Sequence, residues 1–254
     1  ALLLIGSGNM TNGGWGGNQE LFAQWTLEKE DPNSSKIIGK VINSLMPYAN
    51  SQMAIQILNR AFEYDWVIGN HSEEINDNLF ITNPDSPLSE ILAEKWNGKR
   101  YHTLRLFTGS TDQNGAFIEW CHNQFGIEKC IIASNEENIS FDNNSVSHIP
   151  VEIIIAPIDD SKRMHAKSYI FEGNDGLGAV MGSANCSRRA WLMSPNNGGN
   201  VEAIVIYDTV DENDLEEIIA RFPNTQKPIN EISISSYDET TLETTTTYPY
   251  KISS

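Results

Sequence analysis

A short motif that occurs twice, with the same flanking residues, constrains the fold of this chain more than any other feature. Residues 6–9 read GSGN and residues 182–185 read GSAN, an offset of 182 − 6 = 176 residues. In both copies a tryptophan follows the Asn by six residues, and an N-x-E sequence comes next, at 18–20 and at 200–202. Such self-similarity indicates a structural unit that occurs twice. The alternative is a duplicated turn whose Ser and Asn only cap helices.

The second copy follows a predicted β-hairpin. Residues 164–171 (MHAKSYIF) have strand character, and the turn EGNDG separates them from a second apolar run. His165 and Lys167 are expected on one face of the first strand, because residues i and i+2 point to the same side. The second strand would deliver Ser183 and Asn185 to the same end. This set suits a phosphoryl group: Lys167 and Asn185 would hold its oxygens, and His165 would attack phosphorus or transfer a proton.

Strand and helix patterns alternate along the rest of the chain, which predicts an α/β fold. Pro47 divides a helical pattern over Ser34–Val67 into two helices. The other expected strands are Gln19–Glu28, Thr103–Phe107, Lys129–Ala133 and Val151–Ala156, and the other expected helices are Pro87–Trp96, Asn114–Gln124 and Asp211–Phe222. The wholly apolar strands suit a sheet that is covered on both faces.

Charge and cysteine content restrict the partners and the compartment. The net charge of −17 argues against sequence-blind attraction to nucleic acid or to an anionic membrane. Five of the 17 basic residues nevertheless fall within 162–189, where they would form a local phosphate-binding patch or a solvated surface. Three cysteines without CxxC spacing indicate neither a disulfide framework nor a zinc site. The apolar start at 1–5 is too short for a signal peptide or a membrane span, so a cytoplasmic protein with no membrane partner is expected.

These residues resemble the signature of the phospholipase D superfamily, which is HxK, an acid a few residues later, and GSxN. The second copy carries the match, although Glu172 stands where the family usually has Asp and the gap to Gly182 is longer than usual. GSAN followed by Ser187 and Trp191 is similar to the tyrosyl-DNA phosphodiesterase branch. The resemblance implies two pseudo-symmetric sheet-and-helix halves with the active site at their interface. It also implies two-step phosphodiester cleavage without a metal or other cofactor, in which one His forms a phosphohistidine and the other acts as acid and then base.

The resemblance assigns roles residue by residue. The implied catalytic residues are His165, Lys167, Ser183, Asn185, Glu20 and Glu202, and the implied phosphate ligands are Lys167, Asn185, Asn9 and Ser7. In the family the acid that orients a His often comes from the opposite half, so Glu20 would serve His165 and Glu202 the other His. The alternative is two ordinary carboxylates that flank strands. The remaining histidines (His71, His102, His122 and His148) are expected on the surface or as caps. Trp15 and Trp191 are expected in the core, and stacking on nucleic-acid bases is the alternative.

The repeat offset places the first HxK at 165 − 176 = −11, before the first residue. We therefore expect the chain to begin within the first motif, with Leu2–Ile5 as the second strand of the first hairpin. The expected divisions are 1–99 for the rest of the first half, 100–223 for the second half, and 224–254 for a Thr/Ser-rich extension or linker. Expected partners are nucleic acid, with DNA favoured over RNA, the missing segment with the first HxK, and further domains of the same chain.

The predicted function is a metal-independent phosphodiesterase that acts on nucleic acid, as a nuclease or DNA-end-processing module. The chain is expected to be inactive, or nearly so, without the first HxK. Two alternatives stay open. A phospholipid phosphodiesterase would need a membrane-binding surface, and no strongly basic amphipathic segment is present. A non-catalytic scaffold that binds phosphate or nucleic acid is the other.

Overall fold

The computed structural model describes residues 2–8, 18–64, 78–158, 163–174, 176–210, 213 and 223–232. Its strands are β1 (Leu2–Gly6), β2 (Asn18–Gln19), β3 (Phe22–Thr26), β4 (Leu79–Ile81), β5 (Thr103–Phe107), β6 (Lys129–Ser134), β7 (Glu152–Pro157), β8 (Arg163–Met164), β9 (Ser168–Gly173), β10 (Gly176–Gly182), β11 (Ala203–Tyr207) and β12 (Lys227–Pro228). Its α-helices are α1 (Pro32–Leu45), α2 (Gln52–Ala61), α3 (Leu88–Lys95), α4 (Ala116–Phe125), α5 (Asn143–Val146) and α6 (Arg188–Trp191). The predicted α/β class is confirmed.

Eight of these strands form one mixed sheet in the order β12-β7-β6-β5-β9-β10-β11-β4. Strands β5, β6 and β7 are parallel, and the other neighbours are antiparallel. The apolar runs of β6 and β7 are buried on both faces, as their sequences predict. The predicted hairpin is confirmed as the antiparallel pair β9–β10, in which Gly173 pairs with Gly176.

Aromatic side chains fill the core between this sheet and its helices. Trp191 is fully buried, stacks on Phe117 with ring centroids 4.4 Å apart, and donates from Nε1 to the Tyr169 hydroxyl at 3.2 Å. Core packing, which the sequence favoured for Trp191, is therefore confirmed. Trp15 lies outside the described residues.

The first repeat unit builds a smaller sheet. Strands β1 and β3 pair antiparallel, with Gly6 opposite Phe22, and their inner face packs on Leu79 and Val205 of the large sheet. The expected strand at 19–28 is thus two shorter strands, β2 and β3, separated by two residues. Strand β4 belongs to the large sheet although it precedes the expected boundary at residue 99.

Local signals explain most helix boundaries. The Asp31 side chain caps α1 by accepting from the backbone N–H groups of Asn33 and Ser34. Pro47 lies in a 3-10 turn, Met46–Tyr48, that separates α1 from α2 as predicted. The expected helix at 211–222 falls outside the described residues except for Asn213. Within the described ranges, no helix combines the length and the apolar character that crossing a membrane requires.

Candidate active site

A two-residue parallel pairing brings the two repeat units together at His165. Strand β2 pairs with β8, with Gln19 opposite Met164, and the His165 N–H donates to the Gln19 carbonyl at 3.0 Å. This places the next residue of the first unit, Glu20, against the imidazole. The His165 Nδ1 lies 3.0 Å from the Glu20 carboxylate. The resemblance to the phospholipase D superfamily implied this contact between opposite units, and the structure contains it.

Glu20 is held as a carboxylate by its neighbours. Its side chain is only 6% exposed, and burial by itself would raise its pKa. Hydrogen bonds from Ser7 Oγ at 2.5 Å and from His165, together with the His165 charge and a bond from Asn18, outweigh burial and lower the pKa. A carboxylate on Nδ1 fixes the ring orientation and leaves Nε2 for chemistry.

Lys167 lies beside His165 and is almost completely buried, with 2% of its surface exposed. Its Nζ donates to the His165 carbonyl at 2.7 Å. Burial lowers the pKa of Lys167 to about 8, and the charges of Glu20 and Glu202 only partly oppose this effect. The ammonium therefore interacts electrostatically with carboxylates from both repeat units.

The expected position of His165 and Lys167 within a strand is wrong. Strand β9 begins at Ser168, and residues 165–167 form an irregular connection from β8. Residues 163–165 form their backbone hydrogen bonds with β2 of the first unit. The Lys167 carbonyl instead accepts from the Gly182 N–H of β10 at 3.1 Å, so the chain changes its partner strand between these residues. His165 and Lys167 therefore lie at the same site because the chain passes from β2 to β10 between them. The alternation of side chains along a strand is not the cause.

The second repeat unit forms a carboxylate cradle with the same bonds as the first. Ser183 Oγ donates to Glu202, as Ser7 does to Glu20, and Asn200 Nδ2 donates to Glu202 at 3.0 Å, as Asn18 does to Glu20. The backbone follows the same pattern. Ala203 N–H donates to Ser183 Oγ at 3.0 Å, and Leu21 N–H donates to Ser7 Oγ at 3.1 Å. Among the described residues, no imidazole contacts Glu202.

Asn185 and Gly109 complete the part of the site that the structure describes. The Asn185 Oδ1 is buried and has no hydrogen-bond partner there, which is costly unless a ligand supplies one or the amide turns its NH2 group inward. A Cβ on Gly109 would lie 3.3 Å from His165 Cδ2 and 3.4 Å from Asn185 Oδ1. Gly109 therefore leaves space between the two side chains. Sequence reasoning missed it, although a glycine just after a strand is a signal for close approach.

The remaining predicted site residues are Ser7, Ser183 and Asn9. Ser7 and Ser183 donate their hydroxyl protons to carboxylates, a contact that the sequence did not predict. Asn9 lies outside the described residues. The assignment of catalytic and phosphate-binding roles to all these residues remains a prediction.

The remaining polar candidates have structural partners. Glu172, at the usual Asp position of the signature, forms an ion pair with Arg105. His122 Nδ1 contacts the Ile127 carbonyl at 2.7 Å, and His102 Nδ1 contacts Thr103 Oγ1 at 2.9 Å. Exposed His148 lies 3.8 Å from a glutamate, and His71 lies outside the described residues. In the part of the chain that the structure describes, no three His, Cys, Asp or Glu residues form a group suited to a metal ion.

Comparison with known proteins identifies the fold. No protein family and no curated protein sequence matches this chain. Among solved structures, yeast tyrosyl-DNA phosphodiesterase matches with a TM-score of 0.50 at 14% identity, over 81% of this chain and 64% of the yeast chain. This chain has the same fold as the yeast enzyme. It spans less than two thirds of the yeast enzyme.

Two further matches have lower TM-scores. Polyphosphate kinase from Porphyromonas gingivalis matches with a TM-score of 0.44 at 15% identity, over 87% of this chain and 29% of the kinase. Nuc from Salmonella typhimurium, a phospholipase D family member, matches with a TM-score of 0.37 at 15% identity, over 59% of this chain and 96% of Nuc. In the present chain, the cradle around Glu20 and the HxK residues occupy the junction of the two repeat units.

Proposed function

We propose that this chain carries one half of a two-histidine phosphodiesterase site that acts on nucleic acid. The observation that supports the proposal is the His165–Glu20 contact at 3.0 Å, with Lys167 and Asn185 on neighbouring segments. A carboxylate-oriented imidazole beside a buried ammonium and an unpaired amide is a set that can bind a phosphodiester and transfer a proton or a phosphoryl group.

Each group has a defined task in this proposal. Glu20 holds His165 through Nδ1, so Nε2 faces the phosphate and either attacks phosphorus or transfers a proton to or from an oxygen. Lys167, with a pKa of about 8, is mostly protonated at neutral pH and compensates the charge that develops on the non-bridging oxygens. Turning the Asn185 amide inward adds a neutral donor to the same oxygens.

The reaction needs a second imidazole, and we propose that Glu202 receives it. The sequence contains one HxK, at 165–167. The Glu202 cradle repeats the bonds that hold Glu20, so an imidazole there would be oriented in the same way. The repeat offset favours a preceding segment of the same polypeptide as the source, and a second copy of the chain is the alternative source. In either case the isolated monomer is inactive or nearly so.

Nucleic acid is the proposed substrate class. The structural neighbour with the highest TM-score quoted above is named for its action on tyrosyl-DNA, and exposed Arg188 and Arg189 begin α6 three residues after Asn185. Local cations of this kind attract a phosphate backbone although the chain as a whole is acidic. We propose DNA rather than RNA, and cleavage without a metal ion.

The test compares the 254-residue chain with a form extended at its N terminus by a segment of the same polypeptide, which the proposal predicts to carry a second HxK. Both are incubated with end-labelled DNA in EDTA. We expect the extended form to cleave, the shorter monomer to cleave at least about 100-fold more slowly, and His165→Asn to abolish cleavage by the extended form. His122→Asn is the matched control, because His122 contacts a backbone carbonyl outside the site.

Two results would contradict this proposal. Full activity of the 254-residue chain as a proven monomer would exclude the need for a second imidazole. Cleavage that depends strictly on added magnesium would exclude the metal-independent reaction.

A further inference from the structure

A polar cavity next to the GSxN turn takes no part in the chemistry proposed above. Its volume is about 320 Å³, and it is lined by the loop 111–114 after β5, by Ser140 and by Arg188 at the start of α6. Every lining residue except Ala116 carries a polar side chain, which distinguishes the cavity from a gap in the hydrophobic core.

The cavity lies close to the candidate active site. Thr111 forms a parallel β-bridge with Cys186, and the Asp112 N–H donates to the Cys186 carbonyl at 3.2 Å. Cys186 directly follows Asn185. The loop also begins at Gly109, beside His165, and three Cα–Cα steps separate Gly109 from Asp112 by at most about 11 Å. A substrate group adjacent to a phosphate at His165 can therefore reach the cavity.

Asp112 organises the cavity wall. One carboxylate oxygen accepts from the N–H groups of Asn114 and Ala116, each at 3.2 Å, and the other accepts from the Arg188 N–H at 2.6 Å. Because backbone donors occupy both oxygens, Asp112 links the loop to α6 instead of presenting a free acceptor to a ligand. The loop is further held by Thr111, whose Oγ1 accepts from the Ser140 N–H at 2.8 Å.

Three side chains on this rigid wall are available to a ligand. The guanidinium of Arg188 and the carboxamides of Gln113 and Asn114 are exposed and have no hydrogen-bond or ion-pair partner among the described residues. Carboxamides recognise the donors and acceptors of a base edge, and a guanidinium plane stacks on a base face. This set is neutral apart from Arg188, whose charge also suits the adjoining phosphate.

We propose that the cavity binds one unpaired nucleotide next to the scissile phosphate, with its base against Gln113 and Asn114 and stacked on Arg188. This assignment rests on the proposed function and specifies its substrate as a single strand. The cavity volume of about 320 Å³ leaves room for one nucleotide base. A base inside a duplex has both faces covered by its neighbours, so Arg188 cannot stack on it.

The test measures binding of the 254-residue chain to a short fluorescein-labelled single strand and to the blunt duplex of the same sequence, by fluorescence anisotropy. We expect tighter binding of the single strand. Arg188→Gln should weaken that binding about 10-fold, the size of a lost stacking contact, and Asn114→Ala should weaken it less. Arg60→Gln is the matched control, because Arg60 is an exposed arginine in the last turn of α2. It should leave the affinity unchanged.

Arg188→Lys separates stacking from charge. Lysine keeps the charge but has no planar group, so we expect it to bind as weakly as Arg188→Gln. Wild-type affinity with lysine would overturn the stacked geometry. Equal affinities for Arg188→Gln and Arg60→Gln, with the parent still binding the single strand, would overturn the subsite and leave the proposed function intact. Failure of the parent to bind either probe would overturn both.

Discussion

The Glu20 cradle and the Glu202 cradle have the same hydrogen bonds but different surroundings. In each, a serine of GSxN and an asparagine of N-x-E donate to one glutamate, and the residue after that glutamate donates its N–H to the serine. Glu20 additionally contacts His165, whereas no described residue supplies an imidazole to Glu202. The comparison shows that the cradle forms without a contacting histidine from the described residues, so its hydrogen bonds do not depend on an imidazole.

The two cradles also differ in their anchoring. Glu202 leads into β11 inside the eight-stranded sheet, and its backbone exchanges two hydrogen bonds with Thr82, both at 2.9 Å. Glu20 leads into the two-stranded sheet β1–β3. The second cradle is therefore part of the main sheet, and the first is attached to it mainly by packing and by the β2–β8 pairing.

The largest loss of cleavage rate is expected on replacing Lys167, which interacts electrostatically with the carboxylates of both cradles. Lys167→Met should lower the cleavage rate of the extended form about 100-fold or more, because the buried cation that stabilises the phosphoryl charge is lost. In the wild type, phosphate binding should weaken as the pH rises through about 8, since the ammonium is present only below its pKa. Rate and affinity measured from pH 6 to pH 9 test both statements. A profile that is flat in this range would contradict the role of Lys167.

The stability of the folded chain should increase with pH over the range in which phosphate binding weakens. The lowered pKa means that, between about pH 8 and the ordinary lysine pKa of 10.5, the unfolded chain holds a proton that the folded chain has released. The contribution of this group to the free energy of unfolding therefore increases over that range. Lys167→Met should remove this increase, which chemical denaturation at several pH values would measure.

A smaller loss of activity is expected when either glutamate is replaced, and NMR should distinguish the roles of Glu20 and Glu202. Glu20→Gln removes the carboxylate that orients His165, and loss of such a partner typically costs about 10- to 100-fold in activity. In the extended form, Glu202→Gln should cost a similar factor, because it would orient the second imidazole. In the 254-residue chain, only Glu20→Gln should shift the NMR signals of the His165 ring. A large shift of those signals in Glu202→Gln would contradict the separate assignment of the two carboxylates.

The smallest effect concerns the serines and is measured as stability. Ser183→Ala leaves a buried carboxylate oxygen without its donor inside the main sheet, so the free energy of unfolding should fall by about 1–3 kcal/mol. Ser7→Ala removes the equivalent bond from the two-stranded sheet. Its effect on global unfolding should be smaller, because this sheet can open locally before the rest unfolds. Chemical denaturation of both variants provides the comparison, and equal losses would show that the two cradles are equally anchored.

Local sequence signals predicted much of the fold. Strand β5 occupies the predicted residues 103–107, and Pro47 separates two helices as its missing N–H requires. The contact between Glu20 and His165 was implied by the family resemblance, because in that family the acid often comes from the opposite half. These predictions depend on short-range pattern or on the family resemblance.

Contacts between distant segments were not predictable in the same way. The pairing of β2 with β8 joins residues 18–19 to residues 163–164, and no periodicity in either segment signals it. For this reason the sequence pattern predicts His165 and Lys167 within a strand, whereas the strand begins only at Ser168. The inclusion of β4 in the large sheet and the space beside Gly109 likewise depend on tertiary packing.

The short β2–β8 pairing determines how often thermal fluctuation separates Glu20 from His165. Two residues of parallel pairing have few bonds to lose, and such segments open at lower free energy than a central sheet. When they separate, Glu20 leaves His165 although the eight-stranded sheet stays folded. The His165 amide donates to Gln19 across this junction at 3.0 Å, so its hydrogen exchange measures how often the β2–β8 pairing opens and, with it, the Glu20–His165 contact.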